Sequence, residues 1–214
     1  MIVGLIPCAV LILGLAGATA RAQPTADPSM PNPQMKAVLD ELAGLGGKPI
    51  ETLLPAEARL QPSAADAVKS LLKKQGKPIT PEPVGKVEDA TIPGPSGPIP
   101  ARIYTPAGDG PFPVLVYWHG GGWVIADLNT YDASPRALAN AAGCIVVSCH
   151  YRQAPEHRFP AASDDAIAAY QWVLANAPGF GGDPARVAVA GESAGGNLAA
   201  VTALRGSPRR SISY

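Results

Sequence analysis

Val187-Ala188-Val189-Ala190-Gly191-Glu192-Ser193-Ala194-Gly195-Gly196-Asn197-Leu198 joins a short apolar run to a serine flanked by glycines and then to an Ala-rich stretch. The first four residues suit a buried strand, and the run from Ala194 onward suits a helix. Gly-x-Ser-x-Gly alone says little in a chain with 23 glycines. Set between a strand and a helix it meets the condition for a strained turn, in which Gly191 and Gly195 leave room and the Ser193 hydroxyl is lifted above the sheet. Glu192 and Ala194 flank the tip. The plainer alternative is a serine that caps the helix N-terminus.

Upstream, Tyr117-Trp118-His119-Gly120-Gly121-Gly122-Trp123 ends another apolar run in the same manner. Consecutive glycines let backbone N–H groups converge without interference from side chains. Such donors stabilise an oxygen that gains negative charge in a tetrahedral intermediate of acyl transfer. Gly121, Gly122 and Ala194 are the expected donors. A phosphate cradle is disfavoured, because no Gly-Lys-Ser/Thr follows the glycines.

Around these motifs the chain divides by texture. Apolar residues at helical spacing predict a helix from Met35 to about Leu45 and a second from about Ala56 to Gln75. Two extended runs, near Gly85 to Ile92 and Ile99 to Tyr104, flank Pro93-Gly-Pro-Ser-Gly-Pro98 and predict a hairpin. After Pro113 strand and helix alternate: Val114 to Trp118, Ser134 to Ala142, Ile145 to Ser148, Ala161 to Ala175 and Val187 to Ala190. That alternation predicts an α/β fold whose mostly parallel sheet is covered by helices on both faces. Ligands of such sheets bind at the carboxyl ends of the strands, where both glycine motifs lie.

The 214 residues carry no formal net charge, 47% are hydrophobic, and no basic stripe appears. Nucleic acid and anionic membrane surfaces therefore lack electrostatic support as partners, and a small neutral substrate fits better. Residues 1–22 read as an export signal: the first twenty are uncharged, and Ala18-Thr19-Ala20 and Ala20-Arg21-Ala22 are both A-x-A-like cleavage sites. The expectation is a secreted or periplasmic protein, cleaved near Ala20 or Ala22. An uncleaved membrane anchor is the alternative. Residues 23–33 form a Pro-rich linker. Cys144 and Cys149 lie at odd spacing in a strand-like run, so they point to opposite faces and do not pair. No metal-ligand spacing and no cofactor motif emerges.

At these residues the chain resembles the hormone-sensitive-lipase-like family of α/β-hydrolase carboxylesterases. His119-Gly-Gly-Gly-Trp123, Gly191-Glu-Ser-Ala-Gly195 and a third block, Tyr151-Arg-Gln-Ala-Pro-Glu-His-Arg-Phe-Pro-Ala161 followed by Asp164-Asp165, carry the likeness. The resemblance implies that residues 34–83 form a helical cap or lid and residues 84–204 the N-terminal part of the hydrolase domain. It also implies metal-free hydrolysis of short acyl or aryl esters through Ser193, with His119 and Gly120 supporting the oxyanion loop.

In that family an Asp or Glu and then a His follow the serine, but Ala194 to Tyr214 contain no Asp, Glu or His. The upstream candidates are His119, His150 and His157 as bases and Asp164 and Asp165 as orienting acids. Glu192 adjoins Ser193, yet neighbours on a sharp turn point apart. Residues 205–214 depart from the family pattern. The expectation is a chain interrupted at about Leu204, lacking the C-terminal strands and inactive by itself. A non-catalytic binding module, a non-functional fragment and a genuine short exported protein are the alternatives.

Overall fold

Alternating side chains on the central strands decide how the layers assemble. In the computed structural model, which describes residues 30–206, β3 (Phe112–Trp118) and β4 (Ile145–Cys149) pair in parallel, Val116 opposite Val147. β5 (Gly182–Gly191) runs parallel to the other side of β3 and places Gly191 opposite Trp118. β1 (Lys86–Gly94) and β2 (Gly97–Thr105) form an antiparallel hairpin, and β2 adds antiparallel to β4. The order is β1-β2-β4-β3-β5, a mixed sheet whose parallel half carries both glycine motifs.

Helices cover both faces, as the alternation predicts. Val114, Val116, Trp118, Ile145, Val147 and Cys149 face α5 (Ala161–Asn176) and α6 (Ala194–Arg205), which contribute Ala166, Ala169, Val173 and Leu198. On the opposite face Tyr117, Val146 and Tyr104 pack with Ala139 of α4 (Ala133–Ala142) and with Cys144. Each fully buried aliphatic side chain contributes about 1.5–3 kcal/mol relative to exposure. Cys144 and Cys149 are both free and buried in clusters on opposite faces, as their spacing predicts. Burial pushes the Cys149 thiol up to about 12.

The N-terminal helices differ in detail from the sequence reading. α1 spans Pro33–Gly44, capped by the Asn32 side chain, which accepts from Met35 N at 2.8 Å. The single helix expected over 56–75 is two: α2 (Pro55–Ala58) and α3 (Ala64–Lys74). Pro62 disfavours helical backbone before it, and Ser63 restarts the helix through a capping box with Asp66. The hairpin loop is also shorter than expected, since Pro93 pairs with Pro98 and Gly94 with Gly97. Prolines are tolerated there because β1 is an edge strand and β2 meets β4 only from Ala101 onward. β5 begins at Gly182, five residues before the predicted strand, across a register shift opposite Phe112 to Val114. The export-signal reading and all but Arg205 and Gly206 of the tail lie outside the described residues, among which no helix is long and apolar enough to cross a membrane.

Candidate functional site

Ser193 occupies the tip between β5 and α6 with φ 52° and ψ −116°, a conformation that L-residues rarely adopt. Holding it costs on the order of 1–3 kcal/mol, which the surrounding structure must supply. Gly195 N–H donates to Glu192 O at 2.8 Å and closes the turn. A side chain at Gly195 would fall on the Trp118 carbonyl, so only glycine fits where the first turn of this helix meets the end of β3. Gly191 meets the Gly195 backbone just as closely. The Ser193 side chain makes no capping hydrogen bond and is exposed. A serine kept for capping would have extended backbone and would bond to its helix; this one does neither.

The loop after β3 wraps beside it. Gly121 has φ 108°, and a Cβ there would collide with the Ile125 carbonyl. Gly122, Trp123 and Ala126 also have positive φ, at 59°, 62° and 69°. Val124 and Ile125 donate to Gly121 O at 3.0 and 2.9 Å. Among the described residues, the N–H groups of Gly121, Gly122 and Ala194 have no backbone acceptor. Gly120 packs under the Tyr131 hydroxyl and beside Ser193 Cβ, bringing the two glycine motifs together.

His119 is fully buried. Its Nδ1 lies 2.7 Å from Gly120 O and its Nε2 lies 3.0 Å from His150 Nδ1. A carbonyl only accepts, so His119 carries its proton on Nδ1, and Nε2 accepts from His150 Nδ1–H. Burial holds the His119 imidazole down to about 4; the Gly120 carbonyl opposes this and neighbouring His150 reinforces it. Burial also lowers His150, against the pull of Asp127. Both rings are therefore neutral at pH 7 and tied to each other, so neither faces Ser193 as a free base. The unfolded chain protonates near 6.5 and the folded chain near 4, so His119 contributes stability that is complete above pH 6.5 and lost as pH falls toward 4. The loss is on the order of 3 kcal/mol. Urea unfolding of the wild type and of His119→Asn at pH 7 and pH 4.5 checks this. The wild type is expected to lose more over that interval, and equal losses would contradict it.

The other upstream candidates are also placed away from Ser193. His157 lines a separate cavity with Trp123, Phe159 and Asn197. Asp165, 2% exposed, is engaged by Arg152 through the backbone N–H at 2.9 Å and Nη2 at 2.8 Å. Asp164 is exposed on α5. Glu192 is exposed and faces the Tyr131 hydroxyl, which is raised first by burial and then by that carboxylate.

A cavity of about 530 Å3 opens over Ser193, lined by Gly121, Gly122, Tyr131 and Glu192 below and by Ile50, Glu51, Leu53, Pro55 and Ala58 above. The N-terminal segment thus forms its roof. Arg59 fastens that roof, donating from Nε to Val124 O at 2.8 Å and from Nη2 to Ala154 O at 2.9 Å while pairing with Glu156 at 2.7 Å. Sequence reasoning missed Arg59, Tyr131, Tyr151 and the pairing of His150. Arg59 bonds across 65 and 95 residues, and no local pattern announces such contacts.

Residues 115–213 match a family model described as alpha/beta hydrolase fold, a span that covers both glycine motifs and runs past Leu204. The chain has the α/β-hydrolase fold. It is 47% identical over 147 residues to the carboxylesterase NlhH of Mycobacterium tuberculosis, a match covering 66% of this chain and 46% of the relative. It is 36% identical over 188 residues to an ethyl acetate hydrolase of Pseudomonas putida, covering 85% of this chain and 57% of that one. Among solved structures, the hyperthermophilic esterase of the archaeon Pyrobaculum calidifontis aligns with TM-score 0.69 at 44% identity, covering 82% of this chain and 54% of the esterase. The chain spans roughly half the length of these relatives, so its likeness bears on the nucleophile half of their fold.

Proposed function

We propose that the protein is a carboxylic-ester hydrolase of small neutral esters, with Ser193 as the nucleophile and the N–H groups of Gly121, Gly122 and Ala194 as oxyanion donors. The single observation that carries this is Ser193 itself: an uncapping, exposed serine in strained backbone at a strand–helix tip, beneath an open cavity. Ser193 Oγ would attack the acyl carbon as its proton passes to a base supplied from outside these residues, and the three N–H groups would take up the charge on the carbonyl oxygen; collapse would break the bond to the alkoxy oxygen, which leaves with that proton as the alcohol, and water would hydrolyse the acyl-enzyme to the free acid and Ser193. His119 and Gly120 hold the loop instead of moving protons. Relatives named as esterases support this chemistry.

Among the described residues, no histidine lines the cavity over Ser193. The described histidines are spent elsewhere or line another cavity, and residues 194–214 contain no acid or histidine. These 214 residues alone are therefore expected to bind esters without efficient turnover, and activity requires an acid and a histidine from outside this stretch. The roof over residues 50–58 would make the N-terminal segment a lid. Assaying p-nitrophenyl acetate and butyrate with the Ser193→Ala variant as control tests the reading.

Export belongs to the same proposal, carried by the uncharged N-terminus and its small-residue cleavage sites. N-terminal sequencing of the protein expressed from Met1 is expected to give a mature start near Arg21 or Gln23 outside the cytoplasm. An intact Met1 in the membrane fraction would favour the anchor.

A further inference from the structure

The Gly121 N–H direction is set by the peptide plane it shares with the Gly120 carbonyl, because a trans peptide unit is rigid and its C=O and N–H point opposite ways. Whatever grips the Gly120 carbonyl therefore aims the Gly121 N–H. His119 Nδ1–H does so at 2.7 Å. That grip depends on the tautomer of His119, and two neighbours fix it, His150 half-buried and Tyr151 buried. His150 Nδ1, 3.0 Å from His119 Nε2, supplies a proton that only an unprotonated Nε2 can accept. Tyr151, 1% exposed, stacks on the His119 ring at 4.6 Å and 21°, and its hydroxyl donates to His119 O at 3.0 Å with Gly120 O at 3.4 Å.

We propose that His150 and Tyr151 are positioning residues that act through His119 to aim the Gly121 N–H at the oxyanion, a claim resting on the reading of Gly121 as a donor. The two donors of the loop are held by separate devices. The Gly122 N–H shares its plane with the Gly121 carbonyl, which is gripped by Val124 and Ile125 N–H and not by the histidines. Disturbing His150 or Tyr151 thus turns one donor and leaves the other in place. A merely structural pair would loosen the whole loop instead. Both residues come from the segment after β4, and Gln153 of that segment reaches Ile125 O and Ala126 O at 2.8 and 3.0 Å, so one loop supports the other along its length.

Nuclear magnetic resonance of the isotopically labelled full chain tests this without reference to turnover. In the wild type, ring nitrogen shifts are expected to report His119 as the Nδ1–H tautomer. The residual dipolar couplings of the Gly121 and Gly122 N–H bonds should both fit the geometry described above. Tyr151→Phe and His150→Phe are each expected to move the Gly121 coupling off that fit while Gly122 stays on it. His150→Asn, whose amide can donate from the position of Nδ1, is expected to restore Gly121. If Tyr151→Phe does not fold, the two His150 variants decide. A Gly121 coupling unchanged in His150→Phe, or a wild-type His119 protonated on Nε2, would overturn the proposal. Failure of the ester-hydrolase reading would appear in the ester assay and leave these couplings as they are.

Discussion

Replacing Ser193 by Ala is expected to lower ester hydrolysis by about 10⁶-fold in a protein that supplies the acid and histidine from outside residues 1–214. Such a protein is made by continuing the chain after Leu204 with the second half of a solved esterase such as that of Pyrobaculum calidifontis, which aligns over 82% of this chain. The magnitude follows from how triad members act as a unit: loss of the serine alone costs about as much as loss of all three. What survives is binding and the oxyanion donors, about 10³ to 10⁴-fold over water. The uncontinued chain should sit near that same floor. Chelators are expected to leave the chimera active, and either retained activity in the Ala variant or its loss to chelation would contradict a serine mechanism.

The second large effect concerns stability. Asp165→Ala is expected to cost about 3–5 kcal/mol, the range for breaking a buried ion pair by removing one partner. Asp165 is 2% exposed and Arg152 24% exposed, and the carboxylate accepts from both the guanidinium and the Arg152 backbone N–H. Its loss would strand that N–H and free the segment carrying His150, Tyr151 and Gln153, which holds the loop after β3. A shift in urea midpoint with an unchanged slope measures the cost. Asp165→Asn, which keeps an acceptor for the N–H, should lose less. A cost below about 1 kcal/mol would place the pair with ordinary surface ion pairs.

These two effects differ in how far the sequence announces them. The strained serine was legible because its cause is local: a strand must turn into a helix within a few residues, and only Gly191 and Gly195 permit the close approach. The sheet was legible from Val114 onward because its strands are apolar without interruption and its helices keep their spacing. The two Cys residues fell on opposite faces because a period of two admits nothing else. The break at Pro62 was also written in Ser63-x-x-Asp66, a capping pattern that the helical periodicity overshadowed. The rest is tertiary. Asp165 and Arg152 sit in a recognisable block, but only folding shows that the acid serves the arginine instead of a histidine. Likewise, the tautomer of His119 is dictated by a carbonyl one residue away and by a ring 31 residues away.

Where an ester's acyl mimic becomes attached identifies the nucleophile. Incubating the chimera with diethyl p-nitrophenyl phosphate, then digesting it with trypsin and sequencing the peptides by mass spectrometry, locates the stable phosphoryl ester. Stoichiometric loss of activity is expected, with a single modified peptide that begins at Val187 and carries the group on Ser193. Full activity without modification of that peptide, or inactivation through a group on any other residue, would contradict it.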